Sequence, residues 1–393
     1  MRFIGIDIGS EKHFVAVVDA EGHVLRKSTP FLEDESGYAK LREVLGDAHG
    51  CLVAMEATGH YWQNVFAWLA SVGFEVVLIN PLRTRRFAEE DLRRAKTDAI
   101  DALGIARFAQ QKRPKPTPLS DEAAQELREL VRHRDRLVQT FGDRVRQLHR
   151  VVDLGFPEFA RLVRDLGGPL ATSLLHAYPT ARAFDGVSVG QLASIVYDGR
   201  HRVGDTLAEK LLAAAKTSVG QHHGPAYQLQ ARHACEDLDT LRKRIKDLEK
   251  DISDALARHE VGTLLTTIDG IGDTTAARLI AELGDITQFR DGDALAAYVG
   301  VVPGVKHSGK SAPSSQRLSP VGHASLRAKL FMPTLAATRC NPWLAAFYDR
   351  LVSAGKPAKV AIVAAMRKLL QAVYSVAKNK KAFEPRVQIA AAT

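Results

Sequence analysis

The sequence has few cysteines and no long hydrophobic run. Its three cysteines, Cys51, Cys235 and Cys340, are too far apart for a disulfide framework or a zinc-binding pattern. The longest uncharged apolar stretch, residues 294–305, is interrupted by glycine and proline and is shorter than the roughly 18 residues that a membrane-spanning helix needs. Asp7 lies where a signal peptide would need an uninterrupted apolar core. We therefore expect a cytoplasmic protein with no membrane segment.

Carboxylates are nearly absent from the C-terminal quarter of the chain. No Asp or Glu occurs between Asp293 and Asp349, and residues 294–393 hold fifteen Lys and Arg against two acids, a net charge of +13. The whole chain carries +9, so residues 1–293 sum to −4. Such one-sided charge favours nucleic-acid binding over a merely solvated basic face. The cations that we expect to contact a nucleic-acid backbone are Lys306, Lys310, Arg317, Arg327 and Lys329.

The N-terminal part of the chain predicts a mixed sheet. Its 393 residues are 46% hydrophobic and 25% charged, as in a globular protein of two or three domains. Apolar runs over residues 3–8, 14–19 and 23–28 predict a three-stranded meander. Two further strands alternate with helices up to Ile79, and this alternation indicates helices packed on a sheet. We predict an α/β domain over residues 1–115.

The remainder of the chain predicts helices. Apolar residues recur at steps of three and four over residues 121–152 and again over 238–252, which predicts two long helices. These helices could form an antiparallel coiled-coil arm, a dimer interface or an internal hairpin. We predict a helical region over 119–260, with an inserted segment of unassigned role at 156–228, and a mainly helical domain over 261–393.

A glycine turn opens a helix at the start of this last domain. Gly270 and Gly272 stand in the sequence Ile-Asp-Gly-Ile-Gly-Asp, directly before a helical pattern that ends at Leu283. Glycines at a helix start let backbone N–H groups approach a phosphate without a side chain in the way. The pattern is typical of a helix-hairpin-helix, although a plain helix–helix turn has the same residues. We expect Gly270 and Gly272 to contact a nucleic-acid backbone.

Four carboxylates in the α/β domain are candidates for a metal site. Asp7 interrupts an apolar strand, Glu56 ends another, and Asp98 and Asp101 share one face at the start of a predicted helix. Each residue alone has an ordinary explanation as a helix cap or a solvent-facing acid. Together they offer the oxygen ligands that Mg²⁺ prefers, and such sites catalyse phosphoryl transfer.

Two nucleotide-binding patterns are also present. The segment Ile4–Ser10 is similar to the phosphate loop of actin-like ATPases, but no second hairpin of that kind follows later in the chain. The segment Gly304–Ser311 matches the P-loop expression, but Ala-Pro-Ser-Ser follows it where a helix is required. Neither pattern has the structural context that nucleotide binding needs.

The order of these motifs resembles the DEDD-type transposases of insertion sequences, the IS-one-ten family. The N-terminal likeness lies in Gly-Ile-Asp7-Ile-Gly-Ser, Met-Glu56-Ala-Thr-Gly-His-Tyr, Asn80-Pro81 and Lys-Thr-Asp98-Ala-Ile-Asp101-Ala. The C-terminal likeness lies in the glycine turn and in Ser308-Gly309-Lys310, Gly322-His323 and Leu326-Arg327.

The resemblance implies a fold and a mechanism. The first domain would be RNase H-like, similar to the RuvC junction resolvases, with Mg²⁺ at the four acids. Ser308 would be the nucleophile, in a segment that also holds Ser311, Ser314, Ser315 and Ser319. The enzyme would be a recombinase that cleaves and rejoins donor and target DNA, guided by an element-encoded bridge RNA, as a homodimer or homotetramer. The acidic domain and the serine segment would act at one phosphate.

Two alternatives remain open at this point. One is a metal-dependent junction endonuclease in which water attacks and Ser308 only contacts phosphate. The other is an architectural DNA-binding protein in which the four acids are structural.

Overall fold

A computed structural model of the chain describes residues 1–57, 59–90, 98–118, 122–302 and 321–385, without the side chains of residues 88, 90 and 98–100. The chain forms two compact units, Met1–Leu119 and Ser120–Thr393. The second and third predicted domains therefore lie in one unit.

The first unit contains a five-stranded sheet. Its elements are β1 (Arg2–Asp7), β2 (Lys12–Val18), β3 (Val24–Leu32), α1 (Glu35–Leu45), β4 (Cys51–Glu56), α2 (Trp62–Ser71), β5 (Glu75–Ile79), α3 (Pro81–Glu90) and α4 (Asp98–Lys112). The strand order is β3-β2-β1-β4-β5, in which the meander β1–β3 is antiparallel and β4 and β5 add in parallel. The mixed sheet predicted from the sequence is confirmed.

Hydrophobic side chains cover both faces of this sheet. Residues alternate between the faces along each strand, so Ile4, Ile6 and Val53 pack on the side of α1 and α2. Phe3 and Leu52 pack on the opposite side, against α4. Helix α3 was not predicted from the sequence. It begins at Pro81, a residue that suits the first helical position because its missing N–H would have no intrahelical partner there.

The second unit is helical. Its helices are α5 (Glu122–Gly155), α6 (Phe159–Leu162), α7 (Pro169–Ala177), α8 (Val189–Ala193), α9 (Asp205–Lys216), α10 (Pro225–Ala257), α11 (Glu260–Leu265), α12 (Asp273–Leu283), α13 (Gly292–Val299), α14 (Ala324–Cys340), α15 (Pro342–Ser353) and α16 (Ala358–Asn379). Two 3₁₀ turns, Ala181–Phe184 and Ile286–Gln288, lie between them.

Helices α5 and α10 pair with each other inside the chain. Salt bridges between them join Glu126 to Arg258, Arg134 to Glu249 and Arg144 to Asp237, so the two helices run antiparallel. Of the three arrangements open from the sequence, the structure shows the internal hairpin. The predicted coiled coil is not confirmed, and the pairing gives no evidence of a dimer interface.

The α5–α10 pair joins two hydrophobic cores. One core holds Val131 of α5 and Ile252 of α10 together with α12, α14 and α16. The other holds Leu148 and Leu238 together with the short helices of segment 156–228. Because the same two helices contribute to both cores, no boundary separates the predicted regions 119–260 and 261–393. Segment 156–228 is thus a helical cluster with its own core at one end of the pair.

Among the residues that the structure describes, one helix is long and apolar enough to cross a membrane. Helix α16 has 22 residues, and 61% of its most apolar window is buried inside the protein. Its buried residues, among them Ala365, Leu369 and Val373, belong to the core of the second unit. These contacts identify α16 as a core helix.

Candidate active site and nucleic-acid interface

Asp7 and Glu56 end two neighbouring parallel strands. Ile6 of β1 is in register with Met55 of β4, so the residues that follow them lie side by side at the carboxyl edge of the sheet. Strand alternation places Asp7 on the face of Phe3 and Gly5, and Glu56 on the face of Leu52 and Ala54. The two carboxylates therefore share the sheet face that α4 covers. Both residues are partly buried.

The first turns of α4 pack closely on this edge. A Cβ added to Gly5 would lie 2.1 Å from the carbonyl oxygen of Ala102 and 2.3 Å from the backbone nitrogen of Ala106. Only glycine permits this approach of helix to strand. Asp98 and Asp101 precede the buried residues Ala102 and Ile105 by one helical turn, so these four positions lie on the sheet-facing side of α4.

The structure describes some of the four predicted metal ligands more fully than others. The backbone brings positions 7, 56, 98 and 101 to one edge of the sheet. The side chain of Asp98 lies outside the described residues. Among the side chains that the structure describes, no group of three or more His, Cys, Asp or Glu stands close enough to hold a metal ion. The complete tetrad stays a prediction.

Thr84 is a residue that sequence reasoning missed at this site. Its hydroxyl donates a hydrogen bond to Oε1 of Glu56 and is also 3.0 Å from the carbonyl oxygen of Pro81. Thr84 lies in α3 and is buried. The hydroxyl fixes one oxygen of the carboxylate, as outer-shell partners of metal ligands do. Asn80-Pro81 was noticed in the sequence, but the helix that it opens, and hence Thr84, was not.

The donor chemistry of this edge fits a divalent metal. Carboxylate oxygens on two adjacent strand ends are ligands that hard cations such as Mg²⁺ accept, and Asp101 supplies another at the start of α4. If a divalent metal is bound at this edge, these are the residues that would hold it.

The glycine turn has a different structure from the one that the sequence suggested. Helix α11 before it has only six residues, so the helix-hairpin-helix is not confirmed. Gly270 has φ +97°, and an added Cβ would lie 2.4 Å from Cβ of Ala337 in α14. The space expected for a phosphate is occupied by another helix. Packing therefore explains Gly270.

Gly272 faces open space. It is the N-cap of α12, and an added Cβ would meet nothing within 4 Å. Asp273 follows as the first residue of the helix, and its carboxylate accepts a hydrogen bond of 2.6 Å from Ser253. A carboxylate at this end already satisfies the helix dipole and repels an incoming phosphate. Of the two glycines, only Gly272 is open to a backbone contact.

The candidate basic residues fall into two groups. Lys306, Lys310 and Arg317 lie outside the described residues, as does the predicted nucleophile Ser308. Arg327 donates from Nη1 to the carbonyl oxygens of Val299 and Gly300, and Lys329 lies 3.6 Å from Asp135. Both described cations thus make contacts within the protein.

Residues 294–393 carry a net positive charge, and acidic residues from elsewhere in the chain pair with part of it. Arg367 pairs with Asp293 at 3.0 Å, and Lys380 pairs with Glu260 at 2.7 Å. The cationic surface available to a polyanion is therefore smaller than the net charge of +13 indicates.

Asp135 of α5 is held by two cations. Arg278 contacts both of its oxygens, at 2.5 and 2.7 Å, and Arg278 is only 8% exposed. Burial raises the pKa of Asp135, but the hydrogen bonds and charge of Arg278, with Lys329, lower it by more, so its pKa lies below the usual value. Asp135 of α5 thus links this helix to α12 through Arg278 and to α14 through Lys329.

Comparison with known families decides the identity of the chain. A family model for DEDD transposases matches residues 4–157, and the model described as "Transposase IS116/IS110/IS902 family" matches residues 262–349. The chain belongs to the IS110 family of transposases. The first match contains the sheet edge with Asp7, Glu56, Asp98 and Asp101. The second contains the glycine turn, Ser308 and all of α14.

Several related proteins are similar to this chain along most of their length. The protein of insertion element IS116 from Streptomyces clavuligerus is 28% identical over 78% of this chain and 77% of its own. The putative transposase of the IS117 mini-circle from Streptomyces coelicolor is 28% identical over 88% and 87%. The pilin gene-inverting protein of Moraxella bovis is 24% identical over 98% of both chains. This IS110-family protein is an enzyme that acts on DNA by cleaving and rejoining strands.

Proposed function

We propose that this transposase cleaves DNA with Ser308 as nucleophile and holds Mg²⁺ with Asp7, Glu56, Asp98 and Asp101. We propose further that an element-encoded bridge RNA directs it to donor and target DNA. The observation that carries the proposal is the placement of Asp7 and Glu56 side by side on the face covered by the start of α4. The order of the motifs along the chain supports the assignment of Ser308.

The serine step conserves the phosphodiester linkage. Oγ of Ser308 attacks the scissile phosphorus and loses its proton, the phosphorus–oxygen bond to the leaving strand breaks, and the leaving oxygen takes up a proton. The product is a phosphoserine ester that a new strand end can attack in reverse, so rejoining needs no high-energy cofactor. A divalent metal at the four carboxylates supplies Lewis acidity toward the phosphate when it is bound.

A recombination function accords with the names of the relatives. The Moraxella bovis protein is named for inverting a pilin gene, and inversion requires two breaks followed by two rejoining events. A transposase that preserves the phosphodiester as a protein-linked ester can perform both steps. Hydrolysis by water loses this linkage, so the two ends that it leaves cannot be resealed to each other without another energy source.

Metal removal and return test the proposal on the wild-type protein. A nicked suicide DNA is incubated with the enzyme after chelation, and then with added Mg²⁺. We expect a covalent protein–DNA adduct only with the metal, while DNA binding persists in both conditions. Metal-dependent cleavage without any adduct would support attack by water. Binding without cleavage in either condition would support an architectural protein.

RNA guidance has a separate test. RNA that copurifies with the protein from cells carrying the complete element is sequenced, with an element lacking its noncoding flanks as the control. We expect one structured RNA transcribed from those flanks, with segments complementary to donor and target DNA. Bulk cellular RNA in equal amounts from both samples would contradict guidance.

A further inference from the structure

Positive charge is concentrated on two helices of the first unit, α3 and α4. Residues 81–88 and 102–118, which form most of these helices and the chain that follows α4, contain seven Lys and Arg and no Asp or Glu. The seven are Arg83, Arg85, Arg86, Arg107, Lys112, Arg113 and Lys115. Because residues 1–293 sum to −4, this local excess does not show in the charge of the region as a whole.

Two of these cations lie over a pair of buried rings between α3 and α4. Phe87 and Phe108 pack edge to face with ring centres 5.4 Å apart, and they are 7% and 3% exposed. The guanidinium carbon of Arg83 lies 5.4 Å from the ring centre of Phe108, and Nζ of Lys112 lies 5.7 Å from that of Phe87. Ring faces attract cations, so they hold these two side chains in place on an exposed surface.

Arg113 adds a third cation from an unusual backbone conformation. Its φ is +40°, and its N–H donates to the carbonyl oxygen of Ala109 at 2.9 Å, so it ends α4 where glycine is the usual residue. Its guanidinium carbon lies 5.9 Å from the ring centre of the fully buried Phe3. Backbone strain of this kind clusters at functional sites, so an arginine at this position points to a function. We call Arg83, Lys112 and Arg113 the basic strip.

No carboxylate neutralises the basic strip among the ion pairs of the described residues. The ion pair described for α3 joins two of its other residues, Arg85 and Glu89. In the second unit, by contrast, Lys380 pairs with Glu260. The strip is therefore a set of cations whose positions are fixed by rings and whose charge is available to an anion.

One end of the basic strip lies beside the carboxylates at the edge of the sheet. Arg83 directly precedes Thr84, whose hydroxyl bonds to Glu56. The other end lies over Phe3, four residues before Asp7 in β1, which is about 13 Å along the strand. One strand of duplex DNA carries a phosphate about every 3.4 Å of helix axis, so this length corresponds to about four phosphates.

We propose that the basic strip binds phosphates of the DNA strand that is cleaved at the carboxyl edge of the sheet. The inference rests on the proposed function for the place of cleavage. Lys and Arg that contact phosphates release counterions and fix the register of a strand on the protein. The strip thus holds the strand on one side of the break. DNA is the occupant because the strip leads to the carboxylates that act on DNA.

Arg113→Gly and Lys380→Gly form a matched pair of variants. Both residues end a helix with left-handed φ, +40° and +48°, and each substitution removes one positive charge. Glycine suits this conformation, so both variants should keep the thermal stability of the wild type. Thermal unfolding of the full-length proteins therefore separates lost binding from lost folding.

DNA affinity is measured for these variants at several salt concentrations, with a chelator present to prevent metal-dependent cleavage. We expect Arg113→Gly to weaken binding of a DNA duplex by about five- to tenfold at 0.1 M salt and to lower the salt slope by about one. Lys380→Gly should retain the wild-type affinity and slope, because the charge of Lys380 is already paired with Glu260. A variant that combines Arg83→Gln, Lys112→Gln and Arg113→Gly should lower the slope by about three.

The position of the strip is tested by replacing single phosphates around the cleavage site with uncharged methylphosphonates. We expect the wild type to lose affinity at positions within about four nucleotides on one side of the break. The combined variant should be insensitive at those positions, and Lys380→Gly should respond like the wild type. Sensitive positions that are the same in the wild type and the combined variant would overturn the proposal.

Two further results would also overturn the proposal. One is an unchanged DNA affinity and salt slope in the combined variant, whether or not the wild type cleaves DNA. The other is a lower affinity for RNA of the same sequence with an unchanged affinity for DNA, which would assign the strip to RNA. If the strip variants bind DNA more weakly as expected but the wild type shows no metal-dependent cleavage, the proposed function is wrong while DNA binding by the strip stands.

Discussion

Two features were predicted from short motifs: the carboxyl edge of the sheet at Asp7 and Glu56, called here the acidic edge, and the glycine turn at Gly270 and Gly272. Their surroundings in the structure differ. At the carboxyl edge of the sheet, the strand register places Asp7 beside Glu56, and the start of α4 packs on the same face, while the four-residue metal site stays a prediction. At the turn, Gly270 lies against Ala337 in a helix some seventy residues later in the chain.

This difference arises from what each motif encodes. A strand end fixes the position of its last residue, because adjacent parallel strands have their carboxyl ends at one edge of the sheet. The register of β1 with β4 then brings Asp7 beside Glu56. A glycine in a sequence indicates only that a side chain is excluded at that position. Whether a phosphate or another helix takes the space depends on packing that lies far away in the sequence.

Removing a carboxylate at the acidic edge should produce the largest effect. Asp7→Asn keeps the shape of the side chain but removes a carboxylate that we propose as a metal ligand. We expect metal-dependent cleavage to fall by on the order of 10²-fold or more, since even outer-shell partners of a metal cost about 10- to 100-fold. The rate is measured on suicide DNA, with DNA affinity measured in parallel.

Glu75→Gln provides the control for this prediction. Glu75 is exposed and begins β5, at the opposite edge of the same sheet. This variant should cleave DNA at nearly the wild-type rate. Equal activity of Asp7→Asn and Glu75→Gln would show that the acidic edge has no part in the mechanism. The functional difference between the acidic edge and the glycine turn would then be lost.

The two glycines of the turn should differ from each other in stability. Gly270→Ala places a Cβ against Ala337 at positive φ, so it should lower the free energy of unfolding by about 2–3 kcal/mol. Gly272→Ala enters open space at φ −85° and should cost about 1 kcal/mol or less. Denaturant unfolding measures both. Equal losses would mean that Ala337 does not occupy the space beside Gly270.

Thr84 tests whether the acidic edge needs its hydrogen-bonding partner. Thr84→Val keeps the shape but leaves Oε1 of Glu56 without the hydroxyl, so we expect metal affinity to fall by about 10- to 100-fold. Thr84→Ser retains the hydroxyl and should recover most of it. Titration of Mg²⁺ against the cleavage rate measures the change. A Thr84→Val protein with the wild-type metal dependence would show that the bond only holds α3 in place.

The smallest expected effect concerns Asp135. Its pKa lies below the usual 3.8, so its stabilising contribution is present above that pH and is lost as pH falls through the lowered value. Asp135→Asn should therefore lower Tm by a few degrees near pH 7, with a difference that shrinks below about pH 4. Thermal unfolding at a series of pH values measures this. A constant difference across the series would assign the loss to packing rather than to charge.

The sequence predicted well those features that depend on local periodicity. The meander, the parallel strands and the two long helices all follow from apolar spacing. Helix α3, which begins at Pro81, was not predicted from the sequence. The contacts of Arg327, Lys329 and Lys380 could not be anticipated, because their partners Gly300, Asp135 and Glu260 are brought close only by packing of the second unit.

The account depends most directly on the residue that becomes linked to DNA. The covalent adduct formed on suicide DNA in the presence of Mg²⁺ is digested, and the modified peptide is located by mass spectrometry, with Ser308→Ala as the paired sample. We predict that the modification lies on Ser308 and that Ser308→Ala forms no adduct and exchanges no strands. An adduct on another residue, or strand exchange by Ser308→Ala, would contradict the account.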